Sequence, residues 1–168
     1  MSNTESFKRK LEGKKLLIFD FDGTIADTSP FHESAFIETL KPLNVKVNYE
    51  LIAGQKTIDA MKLCCKKLAL DNAQYSDLTN TKQKKFKEKI ANTIKPLPGV
   101  HEFLEWAKPS YDLALASSGS RSNIMFCLER LGYLNFFQYI LCGDDVKNGK
   151  PDPEIFLKVL KKFNYHPK

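Results

Sequence analysis

Apolar residues fall into short continuous runs and into longer periodic stretches, and the two patterns alternate along much of the chain. Three short, mostly apolar runs cover residues 15–21, 111–116 and 137–142, which is typical of strands buried on both faces of a parallel sheet. Apolar residues at helical spacing predict helices over residues 31–40, 57–70, 81–93, 100–107, 121–131 and 153–163. Alternating strands and helices predict an α/β fold with a parallel sheet.

A long helical stretch separates the first strand from the second. Glycine is scarce from residue 29 to residue 94, and three of the predicted helices lie there. Pro96, Pro98 and Gly99 then form a typical breaker cluster. We therefore predict a small helical domain, residues 29–95, inserted into an α/β core made of residues 1–28 and 96–168.

Length and composition restrict the class of protein. A chain of 168 residues is about one domain long, and 42% hydrophobic with 27% charged residues is ordinary for a globular protein. No apolar run approaches the length of a membrane span, and residues 1–15 lack the apolar stretch of a secretory signal. These features predict a soluble cytoplasmic protein with no membrane partner.

The four cysteines, Cys64, Cys65, Cys127 and Cys142, show neither a CxxC pair nor the histidine spacing of a zinc site. We interpret them as reduced, partly buried thiols, because a chain without a signal is expected in a reducing compartment. Two disulfides are the alternative that an even count leaves open.

The net charge of +6 is concentrated in part in one short segment, which contains five lysines: Lys82, Lys84, Lys85, Lys87 and Lys89. Such a cluster is compatible with a nucleic-acid patch or with attraction for anionic substrates. Apart from Phe86, which we expect to face the core, no aromatic residue is interleaved for base stacking. We therefore favour a solvated helix face and predict no nucleic-acid partner.

Two carboxylates, Asp20 and Asp22, stand two residues apart at the carboxyl end of the first strand, the edge where ligands bind in open α/β sheets. Alternation along an extended segment directs both side chains to one side, where like charges repel unless a cation neutralises them. Oxygen ligands at this spacing suit Mg²⁺. Gly23 permits a tight turn, and Thr24 offers a hydroxyl and an N–H to an anion. An acidic loop cap, with Asp22-Gly23 as turn chemistry, is the alternative.

Two further clusters follow later predicted strands or turns. Ser117 ends the second strand, and its hydroxyl with the N–H groups of Ser118 and Gly119 can bind phosphoryl oxygens at a helix N-terminus. The alternative there is a helix cap, a function that Ser120 could serve. Lys150 lies in the string GKPDP, residues 149–153, where a surface lysine in a turn is the alternative.

The strings FDFDGT (residues 19–24), ALASSGSR (114–121) and GKPDP (149–153) resemble, in this order, the first three motifs of the haloacid dehalogenase superfamily. The resemblance implies a Rossmann-like sheet with a small helical cap, and Mg²⁺ as cofactor with Asp20 and Asp22 in the metal site. It implies that Asp20 is the nucleophile that forms an aspartyl-phosphate and that Asp22 is the general acid and base. Ser117 would then bind the phosphoryl group, and Lys150 would stabilise its charge.

The family's fourth motif, which supplies further acidic metal ligands after the helix predicted at 153–163, has no counterpart before Lys168. Asp144 and Asp145 precede Lys150, the wrong order for that motif, so we do not take them as ligands. Without the strand of the fourth motif the first strand would be an open edge. We therefore expect these residues to belong to a longer protein, either monomeric or with a partner chain that completes the sheet edge.

Two positions in the helical insert match the family more weakly. His32 corresponds to a histidine of the subgroup that includes β-phosphoglucomutase and sugar-phosphate phosphatases, with a surface histidine as the alternative. Residues 54–56, GQK, resemble a cap loop that contacts substrate, with an ordinary turn as the alternative. On this basis His32 and Lys56 join Gly23, Thr24, Ser118 and Gly119 as predicted substrate- or phosphate-binding residues.

The resemblance leaves three functions open. A phosphatase and a β-phosphoglucomutase-like phosphomutase share every motif seen here and differ in whether water or a sugar hydroxyl attacks the aspartyl-phosphate. We favour hydrolysis of a small phosphorylated metabolite, a sugar phosphate or a phosphoglycolate-like compound. The third reading is a catalytically impaired protein that keeps the fold for binding, and magnesium-dependent turnover separates it from the other two.

Overall fold

The computed structural model describes residues 11–166 and contains a three-stranded parallel sheet. Its strands are β1 (Leu16–Phe19), β2 (Asp112–Ala116) and β3 (Tyr139–Leu141), in the order β1-β2-β3. The predicted α/β class with a parallel sheet is confirmed. Most of the N-terminal segment predicted to lack a signal, and the last residues of the predicted core, lie outside the described residues.

Six α-helices accompany the sheet: α1 (Ser29–Leu40), α2 (Thr57–Cys64), α3 (Asn72–Ile90), α4 (Val100–Ala107), α5 (Arg121–Leu131) and α6 (Glu154–Lys162). Helices α4 and α5 have the predicted bounds. The helix predicted over 57–70 ends early, at Cys64, and α3 begins well before the predicted residue 81. Helix α3 begins at Asn72 because Asp71 and Gln74 form a capping box. In it, each side chain accepts a hydrogen bond from the other residue's backbone N–H.

Strand β2 is buried on both faces, which explains its continuous apolar sequence. Leu113 and Leu115 belong to a cluster on one face that includes Phe21 and Leu128. Ala114 and Ala116 belong to a second cluster on the other face, with residues of β3 and α6: Leu141, Ile155 and Val159. The carboxyl end of β2 is therefore held firmly from both sides.

A third hydrophobic cluster lies within the inserted helices and contains Phe36, Leu40, Ile52, Ala60, Met61 and Cys65. Helix α3 takes part in two clusters. Its first half packs Tyr75 and Leu78 against this third cluster, whereas Phe86 and Ile90 in its second half belong to the cluster around Phe21. Phe86 thus faces the core, as predicted. The proposed division at residues 28 and 95 stays a prediction.

All four cysteines are free thiols; Cys65, Cys127 and Cys142 are buried and Cys64 is half-buried. The prediction of reduced thiols is confirmed, and the alternative of two disulfides is wrong. Among the helices of residues 11–166, none has both the length and the apolar character that crossing a membrane requires.

Candidate active site

The segments that follow β1 and β2 meet the loop that precedes α6. Lys150 in that loop lies with its Nζ 3.1 Å from Oδ2 of Asp20, the residue after β1. The same Nζ donates a hydrogen bond of 2.8 Å to the carbonyl oxygen of Ala116, the last residue of β2. The structure therefore brings Asp20 and Lys150 together beside the end of β2, where Ser117 follows.

A tight turn after β1 sets the direction of these carboxylates. The Phe21 side chain is fully buried, and its N–H donates to Asp20 Oδ1 at 2.8 Å. Gly23 has φ +73°, a left-handed conformation that favours glycine, as predicted for the turn. The N–H of Thr24 donates to the Phe21 carbonyl at 3.1 Å, and its side chain lines a separate depression beside Pro98. The structure thus places Thr24 in a different depression from the one that Asp22 lines.

Asp22 begins a chain of hydrogen-bonding groups that ends in helix α3. Its Oδ1 accepts a hydrogen bond from the Thr28 hydroxyl and lies 3.3 Å from Nε2 of His32 on α1. Nδ1 of His32 lies 2.6 Å from Nζ of Lys82 on α3. Lys82 is only 1% exposed, and the His32 ring stacks on Phe86 with 4.0 Å between ring centroids. The chain Lys82–His32–Asp22 thus joins both helices to the loop after β1.

Burial and polar contacts together determine the protonation states of Asp22, His32 and Lys82. Burial works to raise the pKa of Asp22, but hydrogen bonds from His32 and Thr28 and the charge of Lys82 outweigh it and lower the pKa. Burial lowers the pKa of His32, and it lowers the pKa of Lys82 to about 8. A neutral His32 therefore accepts from the Lys82 ammonium at Nδ1 and donates from Nε2–H to an ionised Asp22.

The interpretation of the lysine-rich segment as a solvated helix face is wrong for Lys82. Its neighbours fit that reading better: Lys85 and Lys89 pair with Glu38 on α1, and Lys87 donates to Ser122 on α5. Lys82 lies four residues before Phe86 and eight before Ile90, so it occupies the buried stripe of α3. That spacing was the signal in the sequence that could have identified it.

A cavity of about 40 Å³ lies between the core and the inserted helices. Asp22, Ser118 and Gly119 line it from the core, and its other lining residues come from the insert: His32, Phe36, Tyr49, Ile52, Gly54, Gln55, Thr57 and Lys82. The Ser118 hydroxyl is buried and has no hydrogen-bond partner among residues 11–166. Of the predicted phosphate- or substrate-binding residues, the structure thus brings His32, Ser118 and Gly119 together with Asp22.

A side chain at position 119 would crowd Ile124 and Ser117. A Cβ there would lie 2.9 Å from Cδ1 of Ile124 and 3.2 Å from Oγ of Ser117. The Gly119 N–H also donates to that Oγ at 3.0 Å, so the fully buried Ser117 side chain is oriented by the turn it begins.

Asp144 and Asp145 have structural partners. Asp144 accepts from the Arg121 N–H at 2.7 Å, and Asp145 accepts from the Arg121 guanidinium at 2.5 Å and from the Cys142 N–H at 2.7 Å. These contacts agree with leaving both residues out of the ligand set. Within residues 11–166, no group of three or more His, Cys, Asp or Glu side chains is arranged to hold a metal ion. Asp20 and Asp22 still suit Mg²⁺, which often takes only one or two carboxylates together with water and a substrate phosphate.

We expect Lys82 to make stability depend on pH in an unusual window. Its pKa is about 8 in the folded chain against an ordinary 10.5, so the unfolded chain binds more protons between these values and stability rises with pH there. This difference corresponds to about 3 kcal/mol at most. Urea unfolding across pH 8 to 10.5 should therefore show wild type gaining by up to this amount relative to Lys82→Met.

Lys66→Met is the matched control, because Lys66 is exposed in the same insert. Its free energy of unfolding should follow that of wild type at every pH. Parallel curves for wild type and Lys82→Met would contradict the lowered pKa of Lys82.

Comparison with known proteins places these features in a family. Residues 17–168 match the family described as haloacid dehalogenase-like hydrolase. The phosphorylated carbohydrates phosphatase of Thermotoga maritima is 33% identical over 158 residues, which cover 90% of this chain and 71% of that protein.

Two solved structures of related proteins are similar to this fold. CbbY from Rhodobacter sphaeroides, in complex with phosphate, has a TM-score of 0.79 at 26% identity, with 91% of this chain and 74% of that one covered. β-Phosphoglucomutase from Clostridium difficile has a TM-score of 0.80 at 26% identity, with 90% and 71% covered.

Proposed function

The chain belongs to the haloacid dehalogenase-like hydrolase family, and from that premise we propose that it is a magnesium-dependent phosphatase acting on a small phosphorylated metabolite. The phosphoryl group would pass through an aspartyl-phosphate on Asp20. The same premise makes Ser117 and Lys150 the groups that bind the phosphoryl oxygens.

The contact between Lys150 Nζ and Asp20 Oδ2, at 3.1 Å, supports this proposal most directly. These residues are 130 positions apart in the chain, and the same ammonium also reaches the carbonyl next to Ser117. The Lys150 ammonium lies between the Asp20 carboxylate and the end of β2, where it would compensate the negative charge of a bound phosphate. The two contacts hold the Lys150 ammonium beside the carboxylate that the proposal makes the nucleophile.

In the first step, a carboxylate oxygen of Asp20 attacks phosphorus while the bond from phosphorus to the substrate oxygen breaks. Lys150 offsets the charge on the phosphoryl oxygens, and the departing oxygen takes a proton from Asp22. Asp22 is ionised in the resting site, and the negative charge of an arriving phosphate raises its proton affinity. Asp22 takes up this proton as substrate binds, because His32 can give its Nε2 proton to Asp22 while its Nδ1 takes one from the Lys82 ammonium. The proton that water later gives to Asp22 returns along the same path.

In the second step, water attacks phosphorus and gives a proton to Asp22 while the bond to Asp20 breaks, releasing inorganic phosphate. Thr28 and His32 both hold Asp22 in place for this exchange through hydrogen bonds to its Oδ1. Mg²⁺, held by Asp20 and Asp22, would screen the charge between the nucleophile and the phosphate.

The small size of the cavity supports a small substrate. At about 40 Å³ it admits only a compact group beside Asp22 in this closed arrangement. Tyr49, Gln55 and Thr57 of the insert supply polar groups suited to the hydroxyls of a sugar or to a carboxylate. The similarity to a phosphorylated carbohydrates phosphatase favours sugar phosphates within this class.

A phosphomutase is the second candidate, favoured by the structural similarity to β-phosphoglucomutase. It would use the same Asp20 and Asp22, with a sugar hydroxyl in place of water in the second step. The two functions differ in their products, so one assay separates them.

We expect the native protein to release inorganic phosphate from hexose phosphates, pentose phosphates or phosphoglycolate only when Mg²⁺ is present. Removal of the metal with EDTA should reduce the rate to background, and addition of Mg²⁺ should restore it. Isomerised sugar phosphate without phosphate release would instead establish the mutase. No turnover of any of these compounds with Mg²⁺ would contradict both and favour the non-catalytic binding protein.

A further inference from the structure

We infer that Lys56 is a positioning residue that couples closure of the inserted helices to the placement of Lys150. This inference rests on the proposed function, since it gives Lys56 a task in a site that Lys150 serves. The prediction that Lys56 contacts substrate is not supported, because Lys56 does not line the cavity that Gly54, Gln55 and Thr57 line.

The Lys56 ammonium reaches across from the insert to the loop between β3 and α6. Its Nζ donates to the carbonyl oxygen of Val146 at 2.9 Å and lies 3.5 Å from that of Lys147. Hydrogen bonds from a charged donor are among the stronger ones in proteins. Residue 56 immediately precedes α2, so the contact fixes the cavity-lining loop of the insert against the core.

The stem of Lys56 also passes close over Gly149, the residue before Lys150. A Cβ at Gly149 would lie 2.9 Å from Cγ and 3.0 Å from Cδ of Lys56. The φ of Gly149 is not in the left-handed region, so a larger residue there would displace the Lys56 stem rather than strain the backbone. Lys56 therefore contacts the loop with its ammonium at Val146 and with its stem at Gly149.

Helix α6 holds the same loop from the other side. The Glu154 carboxylate accepts from the N–H of Lys147 at 3.0 Å and from the N–H of Asn148 at 2.8 Å. Residues 146–149 are therefore held by Glu154 of the core and by Lys56 of the insert. Lys150 follows directly and extends to Asp20.

Movement of the insert would change how firmly the loop before Lys150 is held. The cavity lies between the core and the insert and is lined by residues of both, so movement of the insert away from the core would open it for substrate to enter and product to leave. Opening withdraws Lys56 from the Val146 carbonyl and removes the support that the insert gives to the loop. Closure restores that support, so Lys150 is fixed most firmly when substrate is enclosed.

The test compares three variants of the native protein with wild type. Lys56→Met keeps the stem and removes the donor, Lys56→Arg keeps a charged donor, and Lys66→Met controls for loss of an exposed lysine. We expect kcat/KM to fall about tenfold in Lys56→Met, as for loss of one charge-assisted hydrogen bond, and to recover to within about threefold in Lys56→Arg. Lys66→Met should match wild type.

Amide hydrogen exchange gives a readout that needs no turnover. With Mg²⁺ and orthovanadate bound, the N–H groups of Lys147 and Asn148 should exchange about tenfold faster in Lys56→Met than in wild type, at unchanged melting temperature. Wild-type exchange rates in Lys56→Met, with or without orthovanadate, would overturn the inference. Absence of hydrolysis by wild type would contradict the proposed function alone, and the exchange comparison would still decide the role of Lys56.

Discussion

Replacing Asp20 by asparagine will reduce phosphate release by at least about a thousandfold. Asparagine keeps the shape of the side chain and can still accept from the Phe21 N–H, but its amide is not a nucleophile toward phosphorus. The measurement is the initial rate of phosphate release with Mg²⁺. Acid-quenched wild-type enzyme should in addition carry a phosphoryl group on the peptide that contains Asp20, and the variant should not.

Asp27→Asn is the matched control, because Asp27 is an exposed carboxylate in the same loop. It removes the same charge a short distance away, so its rate should stay close to that of wild type. A comparable loss in both variants would indicate a general electrostatic effect. An Asp20→Asn enzyme with near wild-type turnover would refute the nucleophile assignment.

The second large effect on turnover is expected for the Asp22→Asn variant. Its overall turnover should fall by about 10² to 10⁴-fold, because asparagine can neither give a proton to the leaving oxygen nor take one from water. An aryl phosphate is the best substrate for this test, since its leaving group needs little protonation. The first step then persists while the second fails, and the aspartyl-phosphate on Asp20 should accumulate.

Intact-mass analysis after an acid quench detects that accumulation. The Asp22→Asn protein should carry one phosphoryl group in most molecules at steady state, whereas wild type and Asp27→Asn should carry it in few. A slow variant without the adduct would contradict the role of Asp22 in activating water. Thr28 and His32 keep a hydrogen-bonding partner in asparagine, so a loss of folding is not expected.

The sheet was predictable because a strand that is buried on both faces has a continuous run of apolar residues in the sequence. Leu113 and Leu115 face one cluster and Ala114 and Ala116 the other, so every residue of β2 after Asp112 had to be apolar. The start of α3 was missed for the opposite reason. Residues 72–80 are mostly polar, and the capping box of Asp71 and Gln74, rather than an apolar stripe, determines where that helix begins.

The site was predictable where motifs define it and hidden where tertiary contacts do. The motifs predicted Asp20 and Lys150 as residues of one site, and the structure brings them within 3.1 Å. Lys82 escaped notice because lysine is rarely buried, and only the packing of α1 against α3 supplies the His32 partner that makes its burial tolerable. The direction of Lys56 depends on a carbonyl 90 residues away, which no local pattern encodes.

The double membership of α3 has a consequence for protein engineering. Exchanging the insert with that of a relative by cutting at residues 28 and 95 would also exchange Phe86 and Ile90, which fill the cluster around Phe21. A graft that ends within α3, after Leu78, would transfer the third cluster, which lies within the insert, and leave those two side chains with their native neighbours. The natural seam for recombining this protein therefore lies in the middle of a helix rather than at the loops.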